Sequence, residues 1–178
     1  MFDITTERSE DAAAIDRLLD AAFGANRQSK TSYRYRRGVA PVHDLRLVAR
    51  ANDAVVGTLR FWPVAISEAA EPALLLGPLA VDPLLHGRGI GTALMGQGLD
   101  MAAWARHRIV LLVGDIGYYA RFGFRSASSR GIVMPGENQN RVLARALSFG
   151  AFGGVSGVVQ PWRPVRGRVD RRRRAIAA

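Results

Sequence analysis

Apolar residues first fall into a helical rhythm at Ala12, Ile15, Leu18, Leu19, Ala22 and Phe23, a stripe that Gly24 is placed to end. Ser9 stands as the expected N-cap, with Glu10 and Asp11 in the first turn, where carboxylates favour the helix dipole. Residues 2–6 alternate ahead of it as a strand, and residues 25–42 predict either a short helix or a loop. Leu45, Leu47 and Ala49 alternate with polar positions, Asn52-Asp53 turns the chain, and residues 55–64 return it as a hairpin. A third strand over 73–81 stops at Asp82-Pro83, and a glycine-rich turn at 87–91 leads into a long helix ending near Arg106. Residues 109–113 are apolar without a break, the pattern of a strand covered on both faces. A helical turn over 118–121, a strand after Gly123 and glycine-rich strands near 131–134 and 154–160 complete the pattern. No internal repeat is present. The order of elements, with one strand–helix–strand unit, predicts an α+β (mixed α/β) domain.

The chain has 178 residues, 48% apolar and 22% charged, which fits one packed domain. The absence of cysteine excludes disulfides, thiolate catalysis and cysteine-held zinc. His43, His86 and His107 are scattered without a metal-ligand spacing, so no metal is expected. The first residues lack a signal pattern, and the uncharged stretch 146–162 is broken by four glycines and a proline. A cytoplasmic protein without a membrane segment is the expectation. Of the net charge of +10, six units come from residues 163–178, with seven arginines against one aspartate. The expected division is therefore a domain over 1–162 and a disordered, arginine-rich tail over 163–178. Contact between that tail and a nucleic acid or acidic partner is the other reading.

The most informative segment runs from Leu76 through Val81 and His86 to Met95, a strand leading into Gly87-Arg88-Gly89-Ile90-Gly91-Thr92 and then a helix. Glycines let the backbone approach a ligand, and the first N–H groups of a helix are unpaired donors at a positive dipole end. Such a turn suits phosphate or pyrophosphate. A P-loop would need lysine after its last glycine, where Thr92 stands. A dinucleotide fingerprint would need glycine or alanine at position 94 or 92, where Leu94 and Thr92 stand.

The remaining pattern, [Gln/Arg]-x-x-Gly-x-[Gly/Ala], resembles the acyl-CoA-binding turn of the GCN5-related N-acetyltransferases. Leu79-Ala80-Val81-Asp82-Pro83 is similar to that family's central strand. Gly114-Asp115-Ile116-Gly117-Tyr118-Tyr119-Ala120-Arg121-Phe122-Gly123-Phe124 is similar to its Tyr-x-x-x-Gly-Phe segment, in the form of the YhbS-like bacterial branch. The resemblance covers roughly residues 1–162, with His86 standing where the family has Gln or Arg. It implies a mixed, mostly antiparallel twisted sheet flanked by helices, with splayed central parallel strands. It also implies acetyl-CoA as cosubstrate, bound by Leu79, Ala80, Val81, His86, Gly87, Arg88, Gly89, Ile90, Gly91 and Thr92.

Acyl transfer to an amine needs a neutral nucleophile, a donor for the developing oxyanion and a proton for the leaving thiolate. Direct attack in a ternary complex is implied by the resemblance, and the lack of cysteine fits it independently. The resemblance assigns the oxyanion donor to a backbone N–H near Val81 and the general acid to Tyr119, a phenol protonated at neutral pH. A buried packing role is the other reading of Tyr119, and Tyr118 is expected to pack. No glutamate stands on 74–76 to act as base; Asp115 and Asp82 are the nearby acids, and Asp115 is equally a helix cap. The first helices and the C-terminal strands are expected to form the acceptor site, with Tyr33, Arg34, Tyr35, Arg36 and Arg37 as a basic, aromatic-interleaved patch. The leading function is N-acetyl transfer to a primary amine by a monomer or homodimer. The alternative is a non-catalytic CoA-binding or nucleic-acid-associated module. A serine hydrolase is disfavoured because Gly154-Val-Ser156-Gly157-Val158 lacks the last glycine of a nucleophile elbow.

Overall fold

In the computed structural model, residues 1–67 and 72–163 are described. The expected tail over 163–178 thus lies outside the described residues, Arg163 excepted. The chain forms β1 (Asp3–Thr6), α1 (Ala12–Phe23), α2 (Thr31–Arg34), β2 (Arg46–Ala51), β3 (Ala54–Ile66), β4 (Ala73–Val81) and α3 (Ile90–Trp104). It continues through β5 (Ile109–Val113), α4 (Ile116–Tyr119), β6 (Arg125–Ser126), β7 (Ile132–Val133), β8 (Val142–Ala146) and β9 (Gly157–Pro161). Strand order is β1-β2-β3-β4-β5-β8-β6, with β9 paired to the far end of β3 and to β7. Among the described residues, only β4–β5 and β7–β9 are parallel. The mixed, mostly antiparallel sheet expected from the resemblance is the one present.

Period-two alternation separates the two faces of the sheet. Leu47 and Ala49 of β2 pack on the α3 side with Leu94, Met95 and Leu99, whereas Val48 between them meets Ile15, Leu18 and Leu19 of α1. The uninterrupted apolar run of β5 divides likewise. Val110 and Leu112 join the α3 side, and Ile109 and Leu111 the other. Full burial of each such leucine is worth about 2 kcal/mol. Helix α3 comes very close to β3: a Cβ on Gly98 would lie 2.8 Å from Leu59 and 2.9 Å from Phe61.

Two local expectations are corrected. Ser9 is not the cap of α1; it sits inside a 3-10 turn, Ser9–Asp11, and the Asp11 carboxylate accepts the Arg8 N–H at 2.7 Å. Burial alone would raise the Asp11 carboxyl, but hydrogen bonds from Arg50 and the Arg8 backbone outweigh it and hold it low. Strand β8 was not anticipated, because residues 142–146 read Val-Leu-Ala-Arg-Ala and carry weak strand propensity. Its five-residue antiparallel register with β5 supplies what propensity does not.

The feature that positions the site is a failure of pairing. β4 and β5 pair only at Leu74↔Val110 and Leu75↔Leu111. Beyond that point Gly77-Pro78 forms a bulge opposite Arg60, since Leu76 pairs with Phe61 but Leu79 with Leu59. Proline has no N–H for a ladder, so the bulge bends β4 where β5 departs.

Candidate active site

After β4, Asp82 caps a short turn by accepting the Leu84 N–H at 2.9 Å. Gly87 and Gly89 follow at φ +78° and +79°, left-handed values that a side chain would strain. Gly89 is also the N-cap of α3 and supplies no capping side chain. The first N–H groups of a 15-residue helix therefore face a cavity of about 440 Å³, with the dipole's positive end behind them. This arrangement fits an anion such as a pyrophosphate.

Eight of the ten residues assigned to the cosubstrate line that cavity: Leu79, Val81, His86, Gly87, Gly89, Ile90, Gly91 and Thr92. Ala80 and Arg88 do not. The Ala80 methyl is buried against α1 on the opposite face, as alternation along β4 requires, and Arg88 is exposed. His86 folds back so that Nε2 lies 3.2 Å from the Val81 carbonyl oxygen, a bond that needs the proton on Nε2. The Asp82 N–H donates to Val56 of β3 at 2.9 Å. Successive N–H groups alternate sides, so the Val81 and Leu79 N–H groups point away from β3, into the gap beside β4.

Across the gap stands α4. Asp115 caps it, its Oδ1 accepting the Gly117 N–H at 2.8 Å, so the cap is its role in this conformation. The Tyr119 ring lies directly on Gly114: a Cβ there would collide with Cε2 of Tyr119 and sit 2.7 Å from Cδ2. Burial, with a smaller contribution from Tyr118 and against Arg141, pushes the Tyr119 phenol up to about 12. It therefore holds its proton throughout the neutral range. Tyr118 packs edge-on to Tyr119 at 4.9 Å, under the Arg121 guanidinium. It also does more than pack. It lines the turn cavity, and its hydroxyl is 3.2 Å from where a Gly91 Cβ would be.

A second cavity, about 530 Å³, opens on the other side of the gap, and Leu79 lines both. Its polar walls include Tyr33, Arg36, Tyr119, Glu137 and Arg141. The sequence offered no signal for Glu137, one acid in a turn 18 positions after Tyr119. Its loop is clamped by Gln139, whose Nε2 donates to the carbonyls of Met134 and Glu137 at 2.8 and 2.7 Å. The Tyr35 hydroxyl ties the same loop to the α2 region, donating to the Pro135 carbonyl at 2.9 Å. Burial raises the Glu137 carboxyl above the usual range, although Arg34, Arg141 and the Ser32 N–H oppose this. The basic patch expected over 33–37 is divided. Tyr35 is core, Arg34 and Arg37 are exposed, and Tyr33 and Arg36 face the cavity.

A split sheet with a helix amino end at one mouth and an acid-bearing cleft at the other is the arrangement that the resemblance to the N-acetyltransferases implies. The model of the Acetyltransferase (GNAT) family matches residues 12–124, and the chain belongs to that family. It is 30% identical over 168 residues to "Uncharacterized N-acetyltransferase YhbS" of Escherichia coli K12, covering 88% of this chain and 94% of that one. The crystal structure of E. coli YhbS in complex with CoA superposes with a TM-score of 0.78 at 29% identity, covering 90% of this chain and 89% of that one. A GNAT acetyltransferase from Brucella melitensis in complex with acetyl-CoA gives a TM-score of 0.69 at 28% identity, covering 92% and 97%. No helix among the described residues is long and apolar enough to cross a membrane.

Proposed function

We propose that this protein is an acetyl-CoA-dependent N-acetyltransferase that acylates a primary amine by direct attack in a ternary complex. The observation that carries this reading is the placement of two cavities beside β4, one at the amino end of α3 and one between β4 and β5, with Leu79 lining both. The CoA and acetyl-CoA held by the two related structures support it. Acetyl-CoA supplies the acyl group as a thioester.

The chain's own residues then have separate tasks. The N–H groups of 87–92 receive the pyrophosphate, and the Val81 N–H faces the gap, where negative charge develops on the acyl oxygen. Tyr119 holds a proton that it can give to the departing sulfur. Glu137, in its ionised form, takes the proton the amine loses, directly or through water.

Thiol release from acetyl-CoA, measured over polyamines, amino acids, aminoglycosides and peptide N-termini, tests the reading. Amine-dependent release is expected for at least one class. Tight CoA binding with no release for any amine would return the chain to the binding-module alternative.

A further inference from the structure

Arg36, like Lys30 and Arg141, is a cation of the second cavity that makes no salt bridge among the described residues. It lines the second cavity and also an adjoining cavity of about 340 Å³ with Arg27, Arg37 and Arg60. Arg27 is paired with Asp16 and Asp20 at 2.9 and 2.7 Å, and Arg60 with Glu7 at 2.7 Å. Among the described residues no carboxylate lies within salt-bridge distance of Arg36, and its buried Nε has no hydrogen-bond partner. Tyr33 and Glu137 offset part of the Arg36 charge, but the buried Nε donor stays unmet, a cost that a ligand oxyanion would relieve.

The group is also held in a fixed plane. Its guanidinium carbon lies 4.8 Å from the Tyr33 ring centre and 5.9 Å from that of Trp62. Trp62 is itself anchored by Nε1–H donating to the Gly77 carbonyl at 2.7 Å. Nη2 of Arg36 is 3.1 Å from where a Gly77 Cβ would lie, so one edge of the fork abuts the β4 bulge beside the gap. Guanidinium edges bind carboxylate and phosphate through paired N–H donors. Burial, reinforced by Arg60 and opposed by Tyr33 and Glu137, lowers Arg36 to about 10, which leaves it charged at neutral pH.

We infer that the acceptor is an amine carrying an oxyanion, a carboxylate or a phosphate, a few bonds from its nitrogen, and that Arg36 binds that oxyanion. The inference rests on the acetyl-transfer reading for the position of the amine. Arg36 then fixes the anionic end while the amine faces Glu137 and Tyr119.

The test compares matched acceptors in thiol-release kinetics. Amino acids are set against their amides, and O-phosphoethanolamine against ethanolamine. The anionic-to-neutral ratio of kcat/KM is taken in the wild type and divided by the same ratio in Arg36→Met. This cancels the different basicities of the paired amines. A double ratio of about 10² or more is expected in one arm, which identifies the oxyanion, with Arg36→Lys between the two proteins. A double ratio within about threefold of one in both arms overturns the inference. If no amine turns over, calorimetry of the N-acetylated carboxylates and their amides on the CoA-saturated proteins gives the same double ratio. Discrimination there keeps the anion site and overturns the transferase reading; its absence overturns the anion site. Circular dichroism melts establish that both variants are folded.

Discussion

The groups lining the turn cavity come mostly from one segment, residues 79–92, and include the first backbone N–H groups of α3, with Tyr118 and Arg121 added from across the gap. In the acceptor cleft they are side chains from separate stretches, Tyr33 and Arg36, Tyr119, and Glu137 with Arg141. The first half depends on where side chains are absent, at Gly87, Gly89 and Gly91. The second depends on which side chains tertiary packing brings together. One scaffold can thus hold a constant donor molecule at one mouth while the other mouth is free to specify the acceptor.

If that division is sound, perturbing one half should leave the other nearly intact. Tyr119→Phe gives the largest effect expected. It keeps the ring on Gly114 and Phe124 but removes the proton, so kcat should fall about 10²–10⁴-fold with CoA affinity almost unchanged. Tyr118→Phe should do the opposite, weakening CoA binding a few-fold because its hydroxyl borders the turn cavity. Equal, mild effects in both, read by initial rates and CoA titration, would remove Tyr119 as the acid.

Glu137→Gln should lower kcat/KM by about 10–10²-fold. The carboxyl is raised above 4.5, so the ionised base is lost as pH falls through a value above the ordinary range. The wild-type pH profile should accordingly show an acid limb there, absent in the variant. With Tyr119 near 12, no alkaline fall from this acid is expected below about pH 11. A profile of unchanged shape in Glu137→Gln would leave the base unassigned.

Gly114→Ala places a methyl in the Tyr119 ring and should displace it, costing about 1–3 kcal/mol in stability and about tenfold in kcat. Thermal melts and initial rates check both. The smallest effect belongs to the tail. Removing residues 163–178 should leave the melting temperature within a few degrees and CoA affinity intact, because β9 ends at Pro161. Loss of cooperative unfolding would show that the domain boundary lies further on.

The same contrast explains what could be read from the chain before its structure. Strand β4, the turn and α3 announce themselves by local spacing, because hydrophobic period, Asp-Pro and Gly-x-Gly are each written within a few residues. The strands up to β5, the β2–β3 hairpin and the strand–helix–strand unit were legible. Strand β8 was not, because it depends on the free edge of β5. Tyr119 was accessible through the family's Tyr-x-x-x-Gly-Phe spacing. Glu137 was not, since nothing near it signals that the Gln139 clamp and Tyr35 aim its loop at residues a hundred positions away. Tyr35 was grouped with its arginine neighbours in the patch expected at the acceptor site. Its ring is in the core under the Arg34 guanidinium, and its hydroxyl bonds the Pro135 carbonyl.

The most direct measurement is calorimetric titration of acetyl-CoA into the wild type, Gly91→Val and Tyr119→Phe, each shown to be folded by its melt. A valine at 91 would put its Cβ 3.2 Å from the Tyr118 hydroxyl and 3.6 Å from Val81, in the space assigned to the donor molecule. The account predicts one site per chain in the wild type, a loss of about 10²-fold or more in affinity for Gly91→Val, and wild-type affinity for Tyr119→Phe. Wild-type binding by a folded Gly91→Val protein would contradict it, because acetyl-CoA would then not lie over the 87–92 turn.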